Sequence, residues 1–354
     1  MDKRWQELAD ILVNYSTQVQ SGEKVMISMR EIHTLPLVKA VYASCIKNGA
    51  YPQVQFLSDH LDHILMRDGN IQQINRVPDI ELYGMEWADV YFGLRGAHNL
   101  YEFSDVKPDI LANFRKVMGT VSSHRWEKTR WVIVRVPNED FAQQAETDFD
   151  TITDMFFDAC LRDWNAETQH WQHVADRLNQ GTDIRLVGNG TDLRFSTKGR
   201  KWMVGDGRSN MPDGEIFTAP IESSVNGKIT FEFPGVLGGR LVPNIELEWK
   251  DGNLINATAS KNEDFLKHIL SADEGASKIG EFAFGTNDSI NRYCKDIFYD
   301  EKIGGTIHIA LGRAYPICGG TNKSSIHWDI IKDTRQEGLV FMDGDRVFEN
   351  GVFT

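Results

Sequence analysis

The sequence predicts an α/β protein with two domains. Residues 1–180 are expected to form an amino-terminal doubly wound, mainly parallel sheet, and residues 181–354 a carboxy-terminal mixed α+β domain. The chain has 354 residues, more than one hydrophobic core usually spans. Helical and strand-like stretches alternate in the first half, which is typical of a parallel sheet. After Thr182 the pattern changes to short period-two runs separated by Gly and Asn, which is typical of antiparallel strands and turns.

The first four predicted elements form a helix followed by a β-α-β unit. Apolar residues recur at helical spacing over 5–13, and a short strand is predicted over 23–29. A helix over 33–47 ends at Asn48-Gly49, and a second strand follows over 51–57. The order of these elements favours parallel pairing of the two strands.

The alternation continues to the end of the predicted first domain. Strands over 88–94 and 131–136 are separated by a helix over 110–117. Apolar positions over 151–178 predict one or two further helices, and Asn179-Gln180-Gly181 is a plausible stop for the last of them. We therefore expect the domain boundary near residue 180.

The second half is predicted to be rich in β-strands with one clear helix over 263–270. The predicted strands share short alternating apolar patterns bounded by turn residues. They cover 183–187, 191–196, 227–233, 245–249, 306–311, 325–331 and 338–342.

Composition excludes several classes of protein. The 38 basic and 51 acidic residues give a net charge of −13, and no Lys/Arg-rich run is present, so a nucleic-acid partner is not expected. The charged amino terminus and the lack of a long apolar run predict a cytoplasmic protein without a membrane partner. The cysteines at 45, 160, 294 and 318 are too scattered for a disulfide framework or a structural zinc site, so reduced thiols are expected.

Several well-known catalytic motifs are absent from the sequence. It contains no His-Glu-x-x-His, no Gly-x-Ser-x-Gly, no Walker loop and no full Gly-x-Gly-x-x-Gly after the first predicted strand. The alternating first half is therefore not interpreted as a dinucleotide site, because architecture alone does not imply function.

Two histidines and an aspartate in the second half are candidate metal ligands. His327 and Asp329 are two residues apart in a predicted strand, so both side chains point to one face. Imidazole and carboxylate are good ligands for divalent transition metals. His308 lies in another apolar run that could be the neighbouring strand. The alternatives are a solvent-facing polar stripe for the first pair and a hydrogen-bonded core residue for His308.

Glu215, Glu281 and Tyr315 complete the set of candidate residues. Each Glu is flanked by apolar residues and glycine, and a buried Glu must be protonated, paired or bound to a cation. Glu215 could instead cap a helix, and Glu281 could pair with Arg292. The residues around Tyr315 are typical of an aromatic side chain in the core or at its rim, although a tyrosine hydroxyl can also ligate a dication.

Four segments resemble the M29 family of metalloaminopeptidases, of the aminopeptidase T and S type. They are Asn-Met-Pro-Asp-Gly-Glu at 210–215, Ile-Gly-Glu-Phe-Ala-Phe-Gly-Thr-Asn at 279–287, His-Ile-Ala-Leu-Gly-Arg-Ala-Tyr-Pro at 308–316 and Ile-His-Trp-Asp at 326–329. The alternating first half is similar to the amino-terminal domain of that family. The resemblance implies release of amino-terminal residues from peptides, a free amino terminus on the substrate, and a homodimer.

The same resemblance implies a centre with two divalent metal ions, with Zn as the expected metal and Co or Mn as alternatives. We assign Glu281 and Tyr315 as catalytic residues, with Glu281 transferring the proton between the attacking water and the leaving amine. The implied metal ligands are Glu215, Glu281, His308, Tyr315, His327 and Asp329.

Two other functions are compatible with parts of this pattern. His308, His327 and Asp329 alone make a two-His-one-carboxylate set, which holds mononuclear Fe(II) in oxygen-activating enzymes, and a ring-cleaving dioxygenase resembles this superfamily. The additional Glu215, Glu281 and Tyr315 favour two metals and hydrolysis. The second alternative is a non-catalytic protein whose polar cleft binds a small molecule.

Overall fold

A computed structural model describes residues 2–96 and 99–354, apart from the side chains of 126 and 127. The chain forms two compact units. The first extends to Arg162 and includes the short segment Gly207–Pro212, and the second contains Asp163–Asp206 and Asp213–Thr354. The predicted boundary near residue 180 falls at the end of a helix whose Ala175 and Leu178 pack in the core of the second unit.

The helices and strands are numbered in chain order. The helices are α1 Arg4–Ile11, α2 Leu35–Lys47, α3 Asp59–Asp68, α4 Ile71–Ile74, α5 Asp79–Trp87, α6 Pro108–Ser123, α7 Arg125–Lys128, α8 Glu139–Gln144, α9 Phe149–Cys160, α10 Trp164–Leu178, α11 Glu263–Leu270 and α12 Ile297–Asp300. The strands are β1 Lys24–Arg30, β2 Tyr51–Leu57, β3 Val90–Gly96, β4 Arg130–Val136, β5 Asp183–Gly188, β6 Thr191–Ser196, β7 Met203–Gly205, β8 Asn210–Met211, β9 Glu215–Thr218, β10 Asn226–Thr230, β11 Gly235–Leu237, β12 Arg240–Val242, β13 Glu246–Lys250, β14 Asn253–Thr258, β15 Ile279–Gly285, β16 Thr306–Gly312, β17 His327–Asp333, β18 Leu339–Met342, β19 Asp345–Glu349 and β20 Val352–Phe353.

The first unit is built on a parallel sheet with the strand order β2-β1-β3-β4-β8. The order reverses direction between β1 and β3, which is typical of doubly wound sheets. The inner strands carry apolar residues such as Val25, Ile27 and Phe92 that are fully buried, as expected for parallel strands covered on both faces. The prediction of a doubly wound parallel sheet is confirmed.

The second unit contains two larger antiparallel sheets and the pair β11-β12. The larger sheet has the order β14-β13-β10-β6-β5-β18-β19-β20, and the smaller one has the order β17-β16-β15-β9-β7. Aromatic side chains connect the two sheets: Phe195 lies 4.9 Å from Phe282 and Phe348 lies 5.0 Å from Phe284, measured between ring centroids. The prediction of a mixed α+β second half is confirmed.

Alternation along the smaller sheet separates a core face from a second face. Phe282 and Phe284 of β15, Ile309 of β16 and Trp328 of β17 are buried in the core. Because successive side chains in a strand point to opposite faces, the residues between them point away from this core. The apolar residues of these strands mark the face that packs in the core, and the residues that alternate with them form the opposite face of the smaller sheet.

Two further expectations concern the membrane and the cysteines. Among the described residues, no helix combines the length and the hydropathy that crossing a bilayer requires. All four cysteines are free and buried.

Candidate metal centre

Five of the six predicted ligands lie on four adjacent strands of the smaller sheet. Glu215 begins β9, Glu281 is in β15, His308 is in β16, and His327 and Asp329 are in β17. Each alternates with a core residue, so all five side chains point away from the core of the second unit. Glu215 is part of a strand, so the alternative that it caps a helix is wrong.

The register of the strands places these residues close together. In β16, His308 pairs with Ala283 of β15, and Ala310 lies between Glu281 on one side and Asp329 on the other. Because the side chain of Ala310 is small, there is space above β16 for the side chains of Glu281 and Asp329. The prediction that His308 and His327 lie on neighbouring strands is confirmed by this register.

Glu281 is central to the cluster. Its Oε1 lies 3.8 Å from His308 Nε2, and its Oε2 lies 3.2 Å from His327 Nε2. Each imidazole also contacts a carboxylate of its own: His308 Nε2 is 3.4 Å from Glu215 Oε2, and His327 Nε2 is 3.4 Å from Asp329 Oδ1. The cluster therefore divides into two groups of three residues that share Glu281.

The ligand atoms of each group are close enough to surround one ion. In Glu215, Glu281 and His308, one ligand atom from each residue lies within 4.8 Å of the other two. The same holds for Glu281, His327 and Asp329. Nitrogen and carboxylate oxygen ligands in this number are typical of zinc and related divalent metals in enzymes.

The hydrogen bonding of the imidazoles fits metal coordination. The Nδ1 of His327 lies 2.7 Å from the backbone oxygen of Arg313 and can donate to it, which leaves the Nε2 lone pair directed at the carboxylates. Both ring nitrogens of His308, which is 1% exposed, have no hydrogen-bond partner among the described residues. Because a buried polar atom is costly without a partner, a cation at this position would satisfy Nε2.

Tyr315 lies beside His327. Its ring centroid is 4.9 Å from that of His327 and 6.1 Å from that of Phe217. Burial, reinforced by the charges of Glu281 and Asp329, raises the pKa of the phenol well above its usual range. Without a cation the hydroxyl therefore stays protonated at neutral pH.

The charges of the cluster depend strongly on each other. Burial raises the pKa of Glu215 to about 7, against the opposing effect of Lys302 and His308. Burial would lower the pKa of His308, but contact with Glu281 and Glu215 raises it to about 9. Burial also acts to raise the pKa of Glu281, yet its two imidazole neighbours bring it below the usual value. The centre therefore places the ionised carboxylate of Glu281 against imidazoles that favour a positive charge, and a bound cation would supply that charge instead.

Three residues that the sequence did not single out also belong to this region. Lys302 is fully buried, and its Nζ lies 3.3 Å from Glu215 Oε1 and 3.8 Å from Asp213 Oδ1. It also pairs with Glu301. Glu301 in turn forms a third group of potential ligands with His308 and Asp329. The Asp-Gly-Glu at 213–215 was a visible signal for Asp213, whereas nothing in the local sequence distinguishes Glu301-Lys302 from a solvated charge pair.

A family model described as thermophilic metalloprotease (M29) matches residues 1–353. The chain belongs to the M29 family. This membership confirms the resemblance in the sequence and makes the M29 chain a metal-dependent peptide hydrolase.

Relatives of this M29 chain cover its full length. It is 23% identical to "Aminopeptidase 2" of Geobacillus stearothermophilus, and the match covers 98% of each chain. Its fold matches the structure of wild-type AmpT from Thermus thermophilus with a TM-score of 0.88 and 22% identity, covering 99% of both chains.

The same fold also occurs in an enzyme with a different chemistry. A 2,5-dihydroxypyridine dioxygenase from Pseudomonas putida KT2440 matches with a TM-score of 0.64 and 13% identity, covering 99% of this chain and 96% of that one. The architecture is therefore compatible with more than one reaction, and the residues of the metal centre have to distinguish them.

Proposed function

We propose that this M29 chain is an aminopeptidase whose centre holds two divalent metal ions. One ion would be held by Glu215, Glu281 and His308, and the other by Glu281, His327 and Asp329, with Tyr315 as an additional ligand at the second. The observation that supports two ions is the position of Glu281, whose two oxygens lie against two different imidazoles. The names of the relatives support action at the amino terminus of peptides.

The proposed metal is zinc, with cobalt or manganese as alternatives. When two cations are bound, the chemistry they supply is a water of lowered pKa and a polarised scissile carbonyl. The three carboxylates Glu215, Glu281 and Asp329 offset most of the charge of two dications. We expect the free amine of the peptide to be selected by the same centre, through an acidic group or a metal.

The residues of the chain must also transfer a proton from the attacking water to the leaving amine. Glu281 is proposed for this role, because its carboxylate lies between the two groups of candidate ligands. Tyr315 is proposed to orient the reacting groups at the second ion, because its ring packs against His327. Glu301, held by Lys302 beside the cluster, is the competing proton acceptor.

Mononuclear iron chemistry at His308, His327 and Asp329 is less consistent with this centre. A site for one iron does not require Glu215, nor does it require Glu281, whose two oxygens lie near two different imidazoles.

We further propose that the active protein is a homodimer in the cytoplasm that acts on peptides and binds neither nucleic acid nor a membrane. The net charge of −13 supports the absence of a nucleic-acid partner.

The substrate assignment can be tested with one peptide in two forms. A tripeptide with a free amino terminus and its N-acetylated counterpart are incubated with zinc-, cobalt- or manganese-loaded protein, with chelator-treated protein as the control. We expect release of the first residue from the free peptide only, and loss of this activity in the chelator. Equal cleavage of the acetylated peptide, or no cleavage with any metal, would contradict the aminopeptidase assignment.

A further inference from the structure

A cavity of about 320 Å³ lies within the first unit, separate from the residues of the metal centre. Its walls come from β1, β2 and β3 and from the helices α5, α6 and α7. The exposed residues Arg115 and Gly119 of α6 belong to its lining, so the cavity is open to solvent. A volume of this size is at the lower end of the range of small-molecule sites, which begins at roughly 300 Å³.

The cavity extends along the sheet from Tyr91 near the start of β3 and reaches the carboxyl ends of β1 and β3, between which the strand order of the sheet reverses. Arg30 is the last residue of β1, and it pairs in register with Arg95 near the end of β3. The chain leaves β1 toward β2 on one side and leaves β3 toward β4 on the other. In open α/β sheets, ligands bind at such a switch point.

The described lining of the cavity is rich in arginine. Four arginines and one acidic residue, Glu81, contribute to it. Arg30 is paired with Asp59 and Asp62, at 2.8 Å from the Asp62 carboxylate. The other arginines are Arg95, Arg115 and Arg125. Placing several guanidinium groups around one cavity is unexpected in a chain with a net charge of −13.

Arg125 shows the electrostatic cost of this arrangement. Burial and the nearby charge of Arg95 lower the pKa of Arg125 to about 10. An anion in the cavity would reverse the effect of the neighbouring like charge. Guanidinium groups bind carboxylate and phosphate oxygens in pairs, which makes arginine the usual choice for recognising such anions.

The remaining wall is apolar and partly aromatic. Tyr91 and Phe114 contribute rings, and Leu57, Met85 and Met118 contribute aliphatic surface. A bare inorganic ion would leave this surface in contact with water. A ligand with an apolar body attached to the anionic group would cover it.

We propose that this cavity binds a small organic oxyanion, a carboxylate or a phosphate ester that carries a flat apolar body. Arg95, Arg115 and Arg125 hold the oxyanion, and Tyr91 and Phe114 contact the body. The absence of a full Gly-x-Gly-x-x-Gly after the first predicted strand agrees with recognition by side chains rather than by a glycine-rich backbone loop.

The test measures binding of phenyl phosphate, benzoate and the uncharged benzyl alcohol to the full-length protein by calorimetry, with chloride added to keep the ionic strength constant. We expect one or both anions to bind more tightly than benzyl alcohol. Arg115→Gln should weaken the anion at least about tenfold, because it removes a charged hydrogen-bond donor. Comparing phenyl phosphate with benzoate distinguishes the phosphate class from the carboxylate class.

Arg67→Gln is the matched control. Arg67 is exposed on α3 and paired with Asp68, it does not line the cavity, and its substitution changes the net charge by the same amount. Arg115→Lys serves as a second variant that keeps the charge but lacks the planar guanidinium group. Its affinity for the anion should lie between those of the wild type and Arg115→Gln. The proposal is overturned if neither anion binds at 10 mM, if benzyl alcohol binds as tightly as the anions, or if Arg115→Gln and Arg67→Gln bind them equally. Equal binding by these two variants would place the anion elsewhere, including at the metal centre.

Discussion

At the scale of single residues, Glu281 connects the two groups of candidate ligands. A carboxylate that contacted only His308 or only His327 would leave the other imidazole with one carboxylate. Because its two oxygens lie 3.8 and 3.2 Å from the two imidazoles, Glu281 belongs to both groups of ligands. Substitution of this residue should therefore affect the whole centre, whereas Glu215 and Asp329 should each affect one half of it.

The role of Glu301 separates metal binding from proton transfer. If Glu281 carries the proton, Glu301→Gln should retain both ions and keep kcat within about tenfold of the wild type, because a general acid–base group contributes about 100-fold or more. Steady-state kinetics together with metal analysis of the purified variant measure both quantities. A variant with two ions and a 100-fold loss of kcat would transfer the proton-carrying role to Glu301.

Lys302 is the second residue whose removal gives a clear expectation. Its buried ammonium group lies among Asp213, Glu215 and Glu301, so Lys302→Met leaves three carboxylates without their shared cation. Removing one partner of a buried ion pair lowers the free energy of unfolding by about 3–5 kcal/mol, because the other charge stays buried without a partner. We expect the free energy of unfolding of the metal-free protein to fall by this amount in urea titrations.

Exposed Lys267→Met, which removes a surface ion pair with Glu263, provides the control and should change stability by less than about 1 kcal/mol. If the free energy of unfolding fell no more in Lys302→Met than in this control, the expectation would be contradicted. The carboxylates around Lys302 would then be neutralised by something other than its ammonium group.

At the scale of elements, the position of β17 depends on the segment that precedes it. The Asp273 carboxylate accepts hydrogen bonds from the backbone nitrogen and the hydroxyl of Ser325 and from the hydroxyl of Ser324. Burial acts to raise the pKa of Asp273, but these donors lower it below its ordinary value of 3.8. The start of β17, including His327, is thus connected to a group that titrates in acid.

The sign of the pH dependence follows from this lowered pKa. Folding favours the ionised carboxylate, so its contribution is complete above the ordinary pKa and is lost as the pH falls through the folded pKa. We expect Asp273→Asn to lower stability at pH 7 by less than about 1 kcal/mol, since the site is largely solvated, and the difference from the wild type to shrink as the pH falls below about 4. Urea unfolding between pH 3 and 7 measures it.

Asp345→Asn at the exposed start of β19 is the control for the loss of one negative charge. A difference between wild type and Asp273→Asn that grew toward low pH would contradict the assignment of the ionised carboxylate as the stabilising form.

The elements also show how far sequence can predict this structure. The alternation of His327, Trp328 and Asp329 was enough to place two ligands on one strand face, because the apolar neighbours identify the buried side. The helices α3, α4 and α5 were not predicted, since their exposed apolar residues, such as Ile64 and Ile80, do not form a regular buried stripe. Neither the role of Lys302 nor the third group of potential ligands with Glu301 was predicted, because both residues lie in a turn after α12 and meet the centre through contacts that are distant in the sequence.

At the scale of the whole molecule, the two units pose separate questions. The second unit groups five of the six predicted ligands on one sheet face. The first unit carries an arginine-lined cavity at the switch point of its parallel sheet. The shared fold with a dioxygenase means that architecture cannot establish the reaction, so the number of bound metals becomes decisive.

The most direct test of the central claim is the metal content of the wild type, Glu281→Gln and Glu274→Gln after loading with zinc and removal of loosely held metal. Glu274 is exposed and lies outside the cluster, so its variant controls for the loss of one negative charge. The account predicts two ions per chain in the wild type and in Glu274→Gln, and loss of tight binding at both positions in Glu281→Gln. One ion per wild-type chain, or two ions retained by Glu281→Gln, would contradict a two-metal centre that shares this carboxylate.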